Sequence, residues 1–178
     1  MGEERKIVIY CAASYGIDPK FNQAARELTR AACSLGYTIV SGGSFRGTMG
    51  AVAEEVVSCG GRHIGVLPRF MEKFRFPALD ELIWTDTMAE RKERMREGTC
   101  AAVALPGGIG TLDELIETLT LAKLEKYSGK IFALNLDGFY EPLKSLLEHY
   151  VETGMLDPRH RNLIEFPDTV AELVERLK

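Results

Sequence analysis

The ten residues Leu105-Pro106-Gly107-Gly108-Ile109-Gly110-Thr111-Leu112-Asp113-Glu114 constrain this chain more than any other stretch. Ahead of them, residues 101–104 (Ala-Ala-Val-Ala) read as a short buried strand. Behind them, Leu112, Leu115, Ile116 and Leu119 recur at helical spacing. The glycines therefore sit where a strand turns into a helix. Three glycines let the backbone pass close to a bound group and adopt positive φ where the turn needs it. The helix start offers unpaired N–H groups and the positive end of the macrodipole, a seat for an anion. Thr111 adds a hydroxyl donor. Glu114, in the first turn, is either a partner for the helix dipole or a catalytic group facing the anion. A glycine turn alone is a weak signal, so the rest of the chain has to decide.

Residues 7–12 (Ile-Val-Ile-Tyr-Cys-Ala) form a near-continuous apolar run, as a central parallel strand requires. After the loop Ala13-Ser14-Tyr15-Gly16, Asp18 caps a helix with Pro19 at its first position. Its buried face carries Phe21, Ala24, Ala25, Leu28, Ala31, Ala32 and Leu35, and Gly36 closes it as a left-handed cap. Residues 37–40 are a second strand. Residues 41–50 (Ser-Gly-Gly-Ser-Phe-Arg-Gly-Thr-Met-Gly) are a second glycine loop entering a helix that runs toward Gly60-Gly61. That loop is either a tight strand-to-helix turn or a second nucleotide contact, and two such loops in one domain favour the contact. Residues 63–67 are a third strand. Residues 68–77 have no clear period and mix Arg69, Lys73 and Arg75 with Phe70, Phe74 and Phe76. This is a surface loop with aromatic anchors or a cover over a site.

Residues 82–84 suggest a short strand, with Trp84 in a core or interface. Thr87 and Glu90 form a capping box for a densely charged helix. A charge run usually marks a solvated face. Yet the strand that follows leads straight into the Pro106-Gly107-Gly108 loop, which could bring this helix start near the anion site. Residues 130–135 are another strand and Asp137-Gly138 a turn. A helix spans about 140–152 and stops before Gly154, residues 162–166 form a last strand, and Thr169 with Glu172 caps a last helix. Strands and helices alternate without repeat or linker. This specifies one α/β domain over residues 1–178, an open parallel sheet with helices on both faces and ligands at the carboxyl ends of the strands. The first turn lacks G-x-G-x-x-G, so this is not a standard dinucleotide fold.

At 178 residues the chain suits one well-packed domain, and 46% hydrophobic with 27% charged residues is ordinary for a soluble protein. A net charge of −4 argues against nonspecific nucleic-acid binding. No apolar run is long enough to span a bilayer. The N-terminal residues carry no signal-peptide or myristoylation pattern. Cys11, Cys33, Cys59 and Cys100 are scattered, with no C-x-x-C, and each sits among apolar neighbours. Buried free thiols in a reducing cytoplasm are expected, with no zinc site. No metal, cofactor, nucleic-acid or membrane partner is expected.

Three segments together resemble one family. Met88-Ala89-Glu90-Arg91-Lys92, followed by Pro106-Gly107-Gly108-Ile109-Gly110-Thr111 and Glu114, is similar to the paired signature of the Lonely Guy proteins. These are cytokinin riboside 5′-monophosphate phosphoribohydrolases, often mislabelled lysine decarboxylases. Gly42-Gly43 with Gly47, Met49 and Gly50 resembles their second glycine loop, and residues 134–140 (Leu-Asn-Leu-Asp-Gly-Phe-Tyr) a later segment. The resemblance implies a Rossmann-like nucleotide-binding fold, at least a homodimer, and a site near the subunit interface. It implies hydrolysis of the N-glycosidic bond of an adenine-type nucleoside 5′-monophosphate to free base and ribose 5-phosphate. By position, Arg91 and Glu114 would be catalytic. Lys92, Gly107, Gly108, Ile109, Gly110, Thr111 and Thr120 would contact substrate, with Gly43 and Gly47 from the second loop.

The chain departs from the family pattern where Ala12-Ala13 replaces Gly-Ser, where Ser44 replaces a glycine and Thr48 a leucine, and where Cys100 replaces a common Asp. Ser14 is left as the donor of the first loop. Two rival readings stand beside this one. A nucleotide- or molybdopterin-binding carrier would use similar loops without catalysis. Lysine decarboxylation needs a pyridoxal phosphate Schiff base, and no lysine has a context that singles it out.

Overall fold

The computed structural model describes residues 4–178; the expectations about Met1, Gly2 and Glu3 lie outside the described residues. Strand β1 (Lys6–Tyr10) is followed by helix α1 (Pro19–Ser34), β2 (Thr38–Ser41), α2 (Gly47–Ser58), β3 (His63–Pro68) and β4 (Glu81–Thr85). Then come α3 (Met88–Arg96), β5 (Thr99–Ala104), α4 (Ile109–Lys123), β6 (Lys130–Ala133), α5 (Glu141–Glu152), the short α6 (Pro158–Arg161), β7 (Ile164–Glu165) and α7 (Val170–Leu177). Every paired strand is parallel, in the order β4-β3-β2-β1-β5-β6-β7. No helix of the described residues is long and apolar enough to cross a membrane.

The two-residue period of the strands divides the core in two. Ile7, Ile9, Ile39 and Val103 face one layer, where they meet Leu28 of α1, Val52 of α2 and Leu173 of α7. Val8, Tyr10, Val40 and Val66 face the other, against Met95 of α3, Leu115 of α4 and Leu147 of α5. Both faces of the sheet are covered, as the unbroken apolar strands require.

The expected caps are present. Asp18 accepts from Lys20 N at 3.0 Å, and Gly36 has φ +79°. Thr87 accepts from Glu90 N at 3.1 Å, while the Glu90 carboxylate returns to Asp86 N, one residue ahead of the cap. The same displaced box opens α7, where Thr169 accepts from Glu172 N and Glu172 accepts from Asp168 N.

Two expectations need correction. None of Gly107, Gly108 and Gly110 has positive φ. Gly108 is extended (φ −90°, ψ −158°) and α4 starts at the next residue, so no left-handed turn is made. And of the cysteines only Cys11 is buried; Cys59 and Cys100 are exposed and Cys33 half-buried. Cys59 ends α2 and Cys100 points outward from β5, so their apolar sequence neighbours do not enclose them.

Candidate active site

The chain leaves β1 toward β2, β3 and β4, then returns at β5 on the other side of β1. The connections leaving the carboxyl ends of β1 and β5 therefore run in opposite directions, and a crevice opens between them. A cavity of about 270 Å³ lies there. Ala12, Ala13 and Ser14 line it from the first loop, and Gly108, Ile109, Gly110, Thr111 and Glu114 from the loop after β5 and the start of α4.

No side chain caps α4. An ideal Cβ on Gly108 or Gly110 would meet nothing within 4 Å. The first helical N–H groups thus face open space without side-chain competition, as an anion seat requires. Thr111 is buried and lies so close to Gly107 that a Cβ there would fall 2.2 Å from its hydroxyl oxygen.

Glu114 sits on α4 only 7% exposed, facing Arg91 of α3, which is 6% exposed. The Arg91 guanidinium donates through Nε to Val66 O at 3.0 Å, through Nη1 to Glu114 Oε1 at 3.3 Å and through Nη2 to Gly42 O at 3.4 Å. It ties β3, α4 and the second glycine loop together. Three of its five N–H groups are engaged, and the others remain for a ligand. The contact to Glu114 is longer than a tight charge-assisted bond. Burial raises the Glu114 carboxyl to about 7, with Arg91 as the largest opposing influence. A carboxyl raised toward neutrality in a cleft marks a candidate general acid or base. The Cys11 thiol in the same cavity is pushed up by burial, with Glu114 adding to it, and stays protonated.

The structure brings Arg91, Glu114, Thr111, Gly108, Ile109, Gly110 and Ser14 to one cavity, and puts Gly107 beside it. It distributes the other expected site residues differently. The Lys92 ammonium bonds Asp113 at 2.9 Å and also pairs with Glu117, outside the cavity lining. Thr120 is exposed, its hydroxyl donating to Ile116 O at 2.8 Å. It lies on the outer face of α4 with Ile109, Leu112 and Ile116. Gly43 packs on Gly65, and Gly47 on the backbone of Ala12, Ala13 and Ser14. Neither lines the cavity; Gly42 does.

Four methionines, Met49, Met71, Met88 and Met95, complete the lining. Met71 comes from a 3₁₀ turn (Arg69–Phe74) in the segment that showed no period. Sequence reading missed it, because a methionine there looks like a loop anchor. Met95 lies within the charge run that reads as a solvated face, yet it is buried.

Fold and site together define a Rossmann-like α/β protein with an open, uncapped helix start and a buried carboxylate–guanidinium pair. Comparison with known proteins narrows this. Residues 49–177 match the family described as "possible lysine decarboxylase". A probable cytokinin riboside 5′-monophosphate phosphoribohydrolase of Oryza sativa is 35% identical over 98% of this chain and 72% of its own length. A cytokinin riboside 5′-monophosphate phosphoribohydrolase of Arabidopsis thaliana is also 35% identical, over 98% of this chain and 82% of its own. Among solved structures, the molybdenum cofactor binding protein of Rippkaea orientalis superposes with a TM-score of 0.74 at 20% identity, covering 98% of this chain and 96% of that one. The molybdenum cofactor carrier protein of Chlamydomonas reinhardtii gives the same values. At that identity the likeness establishes the fold alone. The chain belongs to the Lonely Guy family of phosphoribohydrolases.

Proposed function

We propose that this protein hydrolyses the N-glycosidic bond of adenine-type nucleoside 5′-monophosphates, cytokinin riboside monophosphate or AMP, to free base and ribose 5-phosphate. The observation that carries the reading is the buried Arg91–Glu114 pair set beside an open, uncapped helix start. The α4 N–H groups and Thr111 hold the 5′-phosphate. The bond between the ribose carbon and the base nitrogen breaks with its electron pair going to the base, leaving an oxocarbenium-like sugar, by analogy with glycoside hydrolysis. Ionised Glu114 stabilises that positive charge and orients the water that adds to the sugar carbon. The proton released by water replaces the ribosyl group on the base. Arg91 holds Glu114 in place and offers its free N–H groups to the substrate.

Shared fold keeps the carrier as the alternative reading, and the buried Arg91–Glu114 pair favours the enzyme. Lysine decarboxylation finds no support in the cavity, since no lysine lines it. The proposal includes a cytoplasmic protein with no nucleic-acid or membrane partner. It also includes a symmetric homodimer or larger homo-oligomer. Ile109 is 88% exposed and Leu112 beside it is exposed as well, so the chain itself does not cover this outer face of α4. A second copy over that face would bring Thr120 to a shared site. Light scattering should then give at least twice 19.8 kDa; a fully active monomer would remove the shared site.

Incubation with AMP and N6-isopentenyl-AMP, followed by chromatography for free base, tests the chemistry. Glu114→Gln should bind AMP yet lose about 10²–10³ in rate. Tight AMP binding by wild type with no base released from any monophosphate would favour the carrier.

A further inference from the structure

Residues 134–140 matched a family segment, yet Asn135 and Tyr140 do not line the cavity. Their geometry explains why they matter. Strand β5 ends at Ala104, and Leu105 is the last residue before Pro106 and the glycine loop. The Leu105 N–H is fixed by Tyr10 O at 2.9 Å. Its carbonyl lies beyond the strand ladder and is buried, so it needs a donor from elsewhere. The Tyr140 hydroxyl supplies one at 2.7 Å.

Tyr140 is itself held firmly. It is buried, and its N–H donates to Asn135 Oδ1 at 2.8 Å. Asn135 is 2% exposed, and its amide donates to Glu141 Oε1 at 2.7 Å and Asp168 Oδ1 at 2.8 Å. Its own N–H donates to Pro167 O at 2.8 Å. Two successive left-handed residues, Asp137 (φ +51°) and Gly138 (φ +74°), turn the chain so that Tyr140 points back at β5. The ring packs edge-on against Phe139 at 5.0 Å between centroids. A rigid, fully bonded brace thus runs from the end of β6 to the first residue of the loop.

We infer that Tyr140, oriented by Asn135, is a positioning residue: its hydroxyl holds the Leu105 carbonyl and so fixes the path on which Pro106, Gly107 and Gly108 deliver the α4 N–H groups to the anion. The consequence for nucleotide binding rests on the function proposed above; the consequence for the loop does not.

Tyr140→Phe removes only the hydroxyl and leaves the ring in place. Tyr127→Phe is the control, since Tyr127 also bonds a buried partner, Thr99 Oγ1 at 3.1 Å, but at the opposite end of β5. Amide hydrogen exchange should quicken at Leu105 and Leu112, whose N–H groups donate to Tyr10 O and Gly108 O on either side of the loop, in Tyr140→Phe and not in Tyr127→Phe. The dissociation constants of AMP and of ribose 5-phosphate should both rise about three- to tenfold, the loss expected for one hydrogen bond. KM should rise with them while kcat changes less. A lower melting temperature with wild-type loop exchange and wild-type AMP affinity would overturn the inference and leave Tyr140 a core residue. Should wild type neither bind nor cleave AMP, the proposed function fails, and loop exchange alone decides the role of Tyr140.

Discussion

The two loops are both rich in glycine, for opposite reasons. In the loop that enters α2, the protein itself fills the space beside each glycine. A Cβ on Gly50 would fall 2.2 Å from Phe45 O, one on Gly47 2.6 Å from Ser14 O, and one on Gly42 2.0 Å from Arg91 Nη2. Gly43 and Gly47 also hold φ of +69° and +52°. In the loop that enters α4, Gly108 and Gly110 have no positive φ and no neighbour. The fold asks for glycine in the first loop and not at these two positions of the second. On the proposed function, the space left open at this helix start, where alanine would add helix propensity, is the space the substrate phosphate fills. Arg91 joins the two, taking Gly42 O from the built loop and Glu114 from the open one.

The largest expected effect is on the built loop. Gly50→Ala or Gly47→Ala should destabilise the protein by about 2–5 kcal/mol, from overpacking against backbone and, at Gly47, a left-handed φ. Urea unfolding measures it, and wild-type stability in either variant would erase the contrast. Next comes the link between the loops. Arg91→Met removes the largest influence that lowers the Glu114 pKa, so its titration, followed by carbon-13 NMR of labelled glutamate, should move above about 7. An unmoved titration would mean that the pair is not coupled.

A further effect is on stability against pH. Native Glu114 keeps its proton up to about 7, whereas its ordinary value is 4.5. Between these values the native state binds the extra proton, so its stability falls as pH rises through the window. The unfolding free energy of wild type relative to Glu114→Gln should therefore decline from pH 4.5 to about 7. A flat difference would place the carboxyl in an ordinary environment.

The alternation of strands and helices was legible because buried parallel strands and capped helices leave local signals, Asp18 and Thr87 among them. The pairing of Arg91 with Glu114 was legible only through family resemblance. Locally, Arg91 sits in a charge run that reads as solvated, and its burial comes from β3 and α4 closing around it. The difference between the glycine loops was not legible at all. Glycine records that no side chain stands there, but what occupies the space is decided by residues such as Phe45 and Ser14, brought in by the fold. Met71 was hidden for the same reason, since it reaches the cavity only because the 3₁₀ turn after β3 folds back over it. The four-residue α6 is too short to show a period.

Gly110→Ala tests the central claim most directly, with melting temperature and base release measured on the same sample. The open seat predicts a melting temperature equal to or above wild type, since alanine there gains about 0.4–1 kcal/mol through the unfolded chain. It predicts as well that release of adenine from AMP falls about tenfold or more, because the methyl group displaces the phosphate from the helix start. Stable protein with wild-type turnover would contradict the claim that this loop is kept open for the substrate.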